Sequence, residues 1–338
     1  MPPLLPPPAV SSSNPSSVLS TSSSWSSSRP ARPKTKVSTC QYKIGRVIGS
    51  GTFSVVKEAY HIQTGERFAA KVIPKQLLRG GKVQLLHNEV GILRHLSRGH
   101  PNLLQLHDCF ETTHNVYLIT ELVTGGDLFD RLGRKGSFFE SEAAVIIHAV
   151  VKALAYLHSQ QVVHRDIKPE NILFRNDRSD ADLLIADFGL SVIMGDQNVQ
   201  ALKARCGTTG YMAPEILLHQ PYGKPVDMWA VGVTTYLLLS GYLPFEPGYT
   251  PSGVPRPEVE DDSERDYAMI DDMFTYGDDL LFEPAGYWAG ITPGAKHFIR
   301  GLIQTDPERR MTAEMALLHP WLATAATATT VSGQIEDP

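Results

Sequence analysis

Over Tyr42 to Val47, Val55 to Tyr60 and Arg67 to Val72, apolar residues alternate with polar ones or gather in β-branched groups, with glycine-bearing turns between them. That patterning predicts an antiparallel meander. The period then changes: Val83, Leu86, Val90, Leu93 and Leu96 recur at helical spacing up to Gly99 and Pro101. Strand character returns over Leu103 to Phe110 and Val116 to Leu122. Beyond Gly126 the helical period dominates, and helices are predicted over Glu140 to Ser159, Val226 to Ser240, Pro293 to Thr305 and Ala313 to Leu318. Strands followed by helices predict an α+β chain of two lobes. The first, about residues 42–122, is small and β-rich with one main helix; the second, about 126–322, is larger and mainly helical.

Three stretches depart from this pattern. Residues 1–37 are mostly Pro and Ser and lack the apolar surface to offset the entropy of ordering, so a disordered tail is expected there. From Glu246 to Asp266 the chain turns to Pro, Gly and acid, including Glu258, Glu260, Asp261, Asp262, Glu264 and Asp266, which reads as an acidic surface insertion. Residues 323–338 run through Ala and Thr to Ile335-Glu336-Asp337-Pro338 and read as a flexible tail.

Composition narrows the function class. A hydrophobic share of 42%, a charged share of 20% and a net charge of −5 lack the basic field that nucleic-acid binding requires, so no nucleic-acid partner is expected. Cys40, Cys109 and Cys206 are widely spaced and odd in number, against both a disulfide framework and a cysteine-rich zinc site. No apolar run reads as a bilayer span, and Val231 to Leu239, preceded by Asp227, reads as a buried helix, so no membrane partner is expected. Pro repeats in Met1 to Val10 argue against a secretory signal. The expected location is the cytoplasm, with nuclear entry left open by the loose basic cluster Arg29 to Lys36.

The candidate chemistry lies in four segments. Gly49-Ser50-Gly51-Thr52-Phe53-Ser54-Val55-Val56 joins one predicted strand to the next, and its small residues let backbone amides approach phosphate oxygens. Alone, it is by default a glycine-rich hairpin with no ligand. Ala69-Ala70-Lys71-Val72 sets an ammonium in an apolar strand, where it needs an anion to stay charged; Glu89 on the following helix is the candidate, against a snorkelling lysine without a role. His164-Arg165-Asp166-Ile167-Lys168-Pro169-Glu170-Asn171 compresses a base, cations and a metal-binding amide into one loop. Asp187-Phe188-Gly189 adds a carboxylate suited to a hard cation.

These motifs, in this order, resemble the protein-kinase family from about Tyr42 to Leu322, together with Ala213-Pro214-Glu215, Asp227-Met228-Trp229 and Asp306-Pro307 with Arg310. The resemblance implies the bilobal kinase fold, with a kinase domain over residues 38–322, and ATP and Mg2+ as cofactors. It implies that Asp166 aligns the substrate hydroxyl and accepts its proton, that Lys168 neutralises charge on the moving phosphoryl group, and that Lys71, paired with Glu89, holds the α- and β-phosphates. Asn171 and Asp187 would ligate magnesium. ATP would also meet Gly49, Ser50, Gly51, Thr52, Phe53, Ser54, Val56, Ala69, Glu121, Val123, Glu170 and Leu173, with Thr120 at the back of the pocket. Glu215 would pair with Arg310 and Asp227 would hold the catalytic-loop backbone, both as scaffold.

Lys168 to Asn171 is similar to the Ser/Thr enzymes, and the resemblance implies that Thr208, grouped with the substrate-recognition residues, bridges the catalytic Asp and Lys, the alternative being a buried threonine that satisfies the loop. The nearest branch is that of the calcium/calmodulin-dependent kinases, in which Ser54 also replaces the third glycine of the loop. Asp127, in Gly125-Gly126-Asp127-Leu128-Phe129, and Glu170 resemble acidic positions that recognise arginine near the target, implying protein substrates with basic residues beside the Ser or Thr. The chain departs from its relatives at Ala204, where many carry a phosphorylatable Thr whose phosphate pairs with the loop arginine, here Arg165. After Trp321 there is no Lys or Arg to form a basic calmodulin target, so calmodulin binding is not expected. A kinase-fold scaffold that binds ATP and partners is the alternative reading, and a small-molecule phosphotransferase a further one; the intact Lys71, Glu89, Asp166, Asn171 and Asp187 favour an enzyme, and the peptide-platform motifs favour protein substrates.

Overall fold

The computed structural model describes residues 41–323, apart from 52–53, 79–81, 97–98, 179–180, 196–201, 246–260, 277–280 and 284. The expectations for residues 1–37, for Thr52 and Phe53, for 246–260 and for the tail after 323 therefore fall outside the described residues.

Strands β1 (Tyr42–Ser50), β2 (Val55–His61) and β3 (Arg67–Pro74) form the meander. Helix α1 (Lys82–Leu96) follows, then β4 (Leu106–Glu111) and β5 (Asn115–Glu121), giving a five-stranded antiparallel sheet in the order β1-β2-β3-β5-β4. One sheet face closes over Tyr42, Ala59, Ala70, Val72 and Ile119. Ala59 and Ala70 are fully buried, leaving no room for larger side chains at that layer. Helix α1 buries Leu86, Glu89, Ile92, Leu93 and Leu96 at helical spacing, and this face carries a carboxylate among its apolar residues.

In the second lobe come α2 (Leu128–Lys135) and α3 (Glu140–Ser159). Asp127 caps α2 by accepting from the Asp130 amide at 2.7 Å, and Gly136 ends it at φ 79°. Helix α3 is 20 residues long with a mean hydropathy of 1.2, so it has the length and apolarity of a membrane span, which corrects the expectation that no run does. Its Ile147, Val150, Val151 and Leu154 are fully buried in the lobe's core.

Beyond α3, β6 (Val162–Val163) and β7 (Ile172–Phe174) flank one loop, while β8 (Leu183–Ile185) and β9 (Val192–Ile193) flank another. Because β6 pairs with β9 and β7 with β8, those loops are held side by side. Helix α4 (Pro214–Leu217) leads to α5 (Pro225–Ser240), which is buried on every face from Val226 to Leu239. That all-round burial accounts for its unbroken apolar sequence.

Helix α6 (Asp262–Tyr276) takes in the end of the stretch read as an insertion, residues Asp262 to Asp266. Met269 and Met273 bury one face of it, a spacing of one turn that the surrounding acid conceals. The lobe closes with α7 (Ala285–Trp288), α8 (Pro293–Leu302) and α9 (Ala313–Leu317), the last two capped by the hydroxyls of Thr292 and Thr312.

Candidate active site

The β3 register sets Lys71 opposite Val56 on β2 and Leu118 on β5. Its ammonium lies 2.7 Å from Glu89 Oε1 and 3.1 Å from Asp187 Oδ1. Burial acts against the charged lysine, but the carboxylates of Glu89 and Asp187 outweigh it and hold its pKa above the ordinary value. Burial likewise opposes ionisation of Asp187, and Lys71 reverses this, keeping that carboxyl below its usual range. Strand, helix and loop thus meet at one charge cluster.

Between β6 and β7 the chain has little regular structure, so its geometry depends on side chains. Asp227 of α5 accepts from the amides of His164 at 2.9 Å and Arg165 at 2.8 Å, and sits 2.9 Å from His158 Nε2. The carboxyl is buried, which alone would raise its pKa, yet the His158 hydrogen bond and charge bring it below the ordinary value. Arg165 stands at φ 70° and Asp187 at φ 59°, left-handed conformations that a non-glycine residue keeps only when its surroundings impose them. For Arg165 Asp227 is one such restraint. Another is Gly207, at φ 111°, where a β-carbon would come within 2.8 Å of the Arg165 carbonyl oxygen.

Held in this way, the loop presents a compact set of polar atoms. Asn171 Nδ2 donates to the Asp166 carbonyl at 2.7 Å and to Oδ2 at 2.9 Å, while Lys168 Nζ lies 3.0 Å from Oδ2. Thr208 donates to Asp166 Oδ1 at 2.9 Å and accepts from Lys168 at 2.6 Å. With its amide nitrogen committed to Asp166, Asn171 has its carbonyl oxygen left to act as a hard ligand. Together with the Asp187 carboxylate, half exposed at 52%, that oxygen forms a donor set that fits magnesium.

The remaining predicted residues are placed by the strands and short turns around these clusters. Gly49 and Ser50 end β1, Gly49 faces Val56, and the Gly51 amide donates to the Ser54 carbonyl at 2.8 Å. Ala69 is buried opposite Thr120, itself buried. Glu121, at the end of β5, pairs with Arg175 and accepts from the Gln105 amide at 3.0 Å; Val123 follows the strand and Leu173 lies on β7. Glu170 is exposed in the short turn Pro169–Asn171, and Asp127 uses one carboxylate oxygen to cap α2. Among the described residues, neither joins the Asp166 cluster.

Beneath the platform, Arg310 makes a two-bond fork with Glu215, Nη1 to Oε1 at 2.7 Å and Nη2 to Oε2 at 3.0 Å, and both side chains are buried. The Glu121–Arg175 pair, the His158–Asp227 bond and the contacts of Tyr222 were not among the expectations from sequence. None of these carries a local motif.

Comparison with known proteins gives matches over the same span. The family model described as "Protein kinase domain" matches residues 42–322. "Calcium/calmodulin-dependent protein kinase cmkB" of Emericella nidulans is 47% identical over 289 residues, which is 86% of this chain and 67% of that protein. "Calcium/calmodulin-dependent protein kinase type I" of Schizosaccharomyces pombe is 47% identical over 290 residues, 86% of this chain and 81% of its own length. "Calcium/calmodulin-dependent protein kinase type 1B" of Rattus norvegicus is 41% identical over 285 residues, 83% and 75% of the two chains.

Proposed function

The chain belongs to the protein kinase family and is a Ser/Thr kinase of the calcium/calmodulin-dependent branch, and from that premise we propose that the Asp166 cluster performs the transfer from ATP and that it favours basic protein substrates. The observation that carries this reading is the joint engagement of Asp166 by Asn171, Lys168 and Thr208. Three donors turned toward one carboxylate fix its orientation, so Asp166 is set to receive and align an acceptor hydroxyl. Lys168 lies beside it as a fixed cation for charge that develops on the transferred group.

Lys71, kept charged by Glu89, supplies the cation for the nucleotide phosphates, and Gly49, Ser50, Gly51, Ser54 and Val56, at the facing ends of β1 and β2, would lie over them. Asn171 and Asp187 would hold magnesium, which neutralises phosphate charge when bound. Ala69, Glu121, Val123 and Leu173 would enclose the adenine. Catalysis of this kind is mostly positioning and electrostatics, which suits a site whose polar side chains are already mutually bonded.

For the peptide, Glu170 offers an exposed carboxylate and Asp127 the carboxylate oxygen that its cap leaves over. Residues 322–338 carry no Lys or Arg to form a basic calmodulin target, so the regulatory reading for residues 1–338 is transfer without calcium/calmodulin. The test is magnesium-ATP phosphorylation of Ser/Thr peptides with arginine upstream of the target and of the same peptides with that arginine changed to alanine, each with and without calcium/calmodulin. The expected result is at least about tenfold higher kcat/KM for the arginine peptides, from desolvated charge pairing, with no stimulation. Equal rates on both peptides would overturn the basophilic reading, and stimulation would overturn the regulatory one.

A further inference from the structure

Position 204, where the protein-kinase resemblance implies a phosphorylatable Thr in many relatives, holds Ala204, which cannot be phosphorylated. Arg165 nevertheless has partners. Its Nε donates to the Leu190 carbonyl at 2.6 Å and its Nη1 donates to the hydroxyl of Tyr222 at 3.1 Å. Among the described residues no carboxylate is paired with it. The Tyr222 hydroxyl in turn donates to the Ala204 carbonyl at 2.7 Å. The tyrosine amide donates to the Leu202 carbonyl at 3.0 Å, in an isolated antiparallel bridge, and Cys206 Sγ lies 3.4 Å from the same hydroxyl. Tyr222 is 6% exposed, so the hydroxyl's direction is fixed by packing. It precedes α5, whose Asp227 already holds the backbone of the catalytic loop.

We propose that Tyr222 is a positioning residue that ties the segment Leu202 to Thr208 to the catalytic loop without a phosphate, its hydroxyl accepting from Arg165 and donating to Ala204. This rests on the functional reading above and adds to it the means by which the site is kept assembled. The chemistry differs from that of a phosphate. A phosphate would neutralise Arg165 by charge, whereas the phenol spends one lone pair on the cation and its proton on the segment, so the contact is a relay of two hydrogen bonds. Burial, and then the Cys206 hydrogen bond, raise the pKa of this phenol, so it keeps the proton it donates. The segment it holds contains Thr208, the bridge between Lys168 and Asp166, and Gly207, whose backbone closes on Arg165. Loss of the tether therefore reaches the phosphoacceptor side of the site and leaves the Lys71 cluster intact.

The test compares the full chain, Tyr222→Phe and Tyr222→Phe with Ala204→Glu. Hydrogen exchange of the segment Leu202 to Tyr222 is followed together with steady-state transfer. Phenylalanine keeps the buried ring and removes only the hydroxyl. Segment exchange is expected to quicken about tenfold and kcat/KM for the peptide to fall about tenfold, with KM for ATP unchanged, as suits the loss of a charge-assisted hydrogen bond. Ala204→Glu, which gives Arg165 a carboxylate, is expected to restore both in the phenylalanine background, a rescue that a purely packing role would not show. Unchanged exchange, changed exchange with unchanged transfer, or no rescue would each overturn the proposal. If the wild-type chain transferred no phosphate but its segment still showed hydroxyl-dependent protection with rescue, the functional reading would fail and the tether would stand.

Discussion

Asp227 illustrates how much one buried charge can set. It satisfies two backbone amides of a loop that includes a non-glycine residue at positive φ, and it is itself partnered by His158. Its pKa is lowered in the folded chain. A carboxyl with a lowered folded pKa contributes stability that is present above its unfolded pKa, ordinarily about 3.9. That contribution is lost as pH falls through the folded value. In Asp227→Asn the amide NH2 or a single oxygen must face donors that expect a carboxylate, so a loss of about 2–4 kcal/mol at pH 7 is expected, with the gap from wild type narrowing as pH drops below about 4. Denaturant titrations across pH check this, and a gap that widened on acidification would contradict it. The chemistry-bearing residues were legible because Asp166, Lys168 and Asn171 lie within one short motif. Arg165 and Tyr222 are 57 residues apart, and a lone tyrosine before an apolar helix reads as packing, so nothing local marks its hydroxyl as a tether.

Elements with a single clear period were legible, and those whose apolar face is short were not. Helix α3 agrees in both bounds with its predicted span, and α5 begins one residue earlier, at Pro225, because proline suits the first helical turn. Helix α2 buries only Leu128 and Leu132, and α6 hides its buried methionines among aspartates, so neither stands out in a window of sequence. The strand predicted from Leu103 begins at Leu106, since Leu103 makes only an isolated bridge to Ile185. Long-range pairs between elements are the least visible. Arg310 precedes α9, Glu215 lies in α4, and their fork binds the end of the lobe to α4. Glu215→Ala leaves the guanidinium buried without its anion, so a loss of about 3–5 kcal/mol is expected by chemical denaturation. A change below about 1 kcal/mol would mean that this pair is not the anchor its burial indicates.

For the molecule as a whole, the two-lobed α+β arrangement follows from the change of hydrophobic period near Gly126. The site lies where the β-rich and helical parts meet: Lys71 comes from the sheet, Glu89 from α1, Asp187 from the loop after β8, and Asp166 from a loop held by α5. No single element contains the site, so its assembly depends on the packing of all of them. On the function proposed above, phosphoryl transfer by this chain runs through Asp166. Single-turnover transfer from magnesium-ATP to an arginine-containing Ser peptide by wild type and Asp166→Ala, with nucleotide binding measured alongside, puts this to the test. Nucleotide affinity is expected within about threefold of wild type and the transfer rate lower by about 10²-fold or more, because only the acceptor-aligning carboxylate is gone. Transfer by Asp166→Ala at the wild-type rate would contradict it.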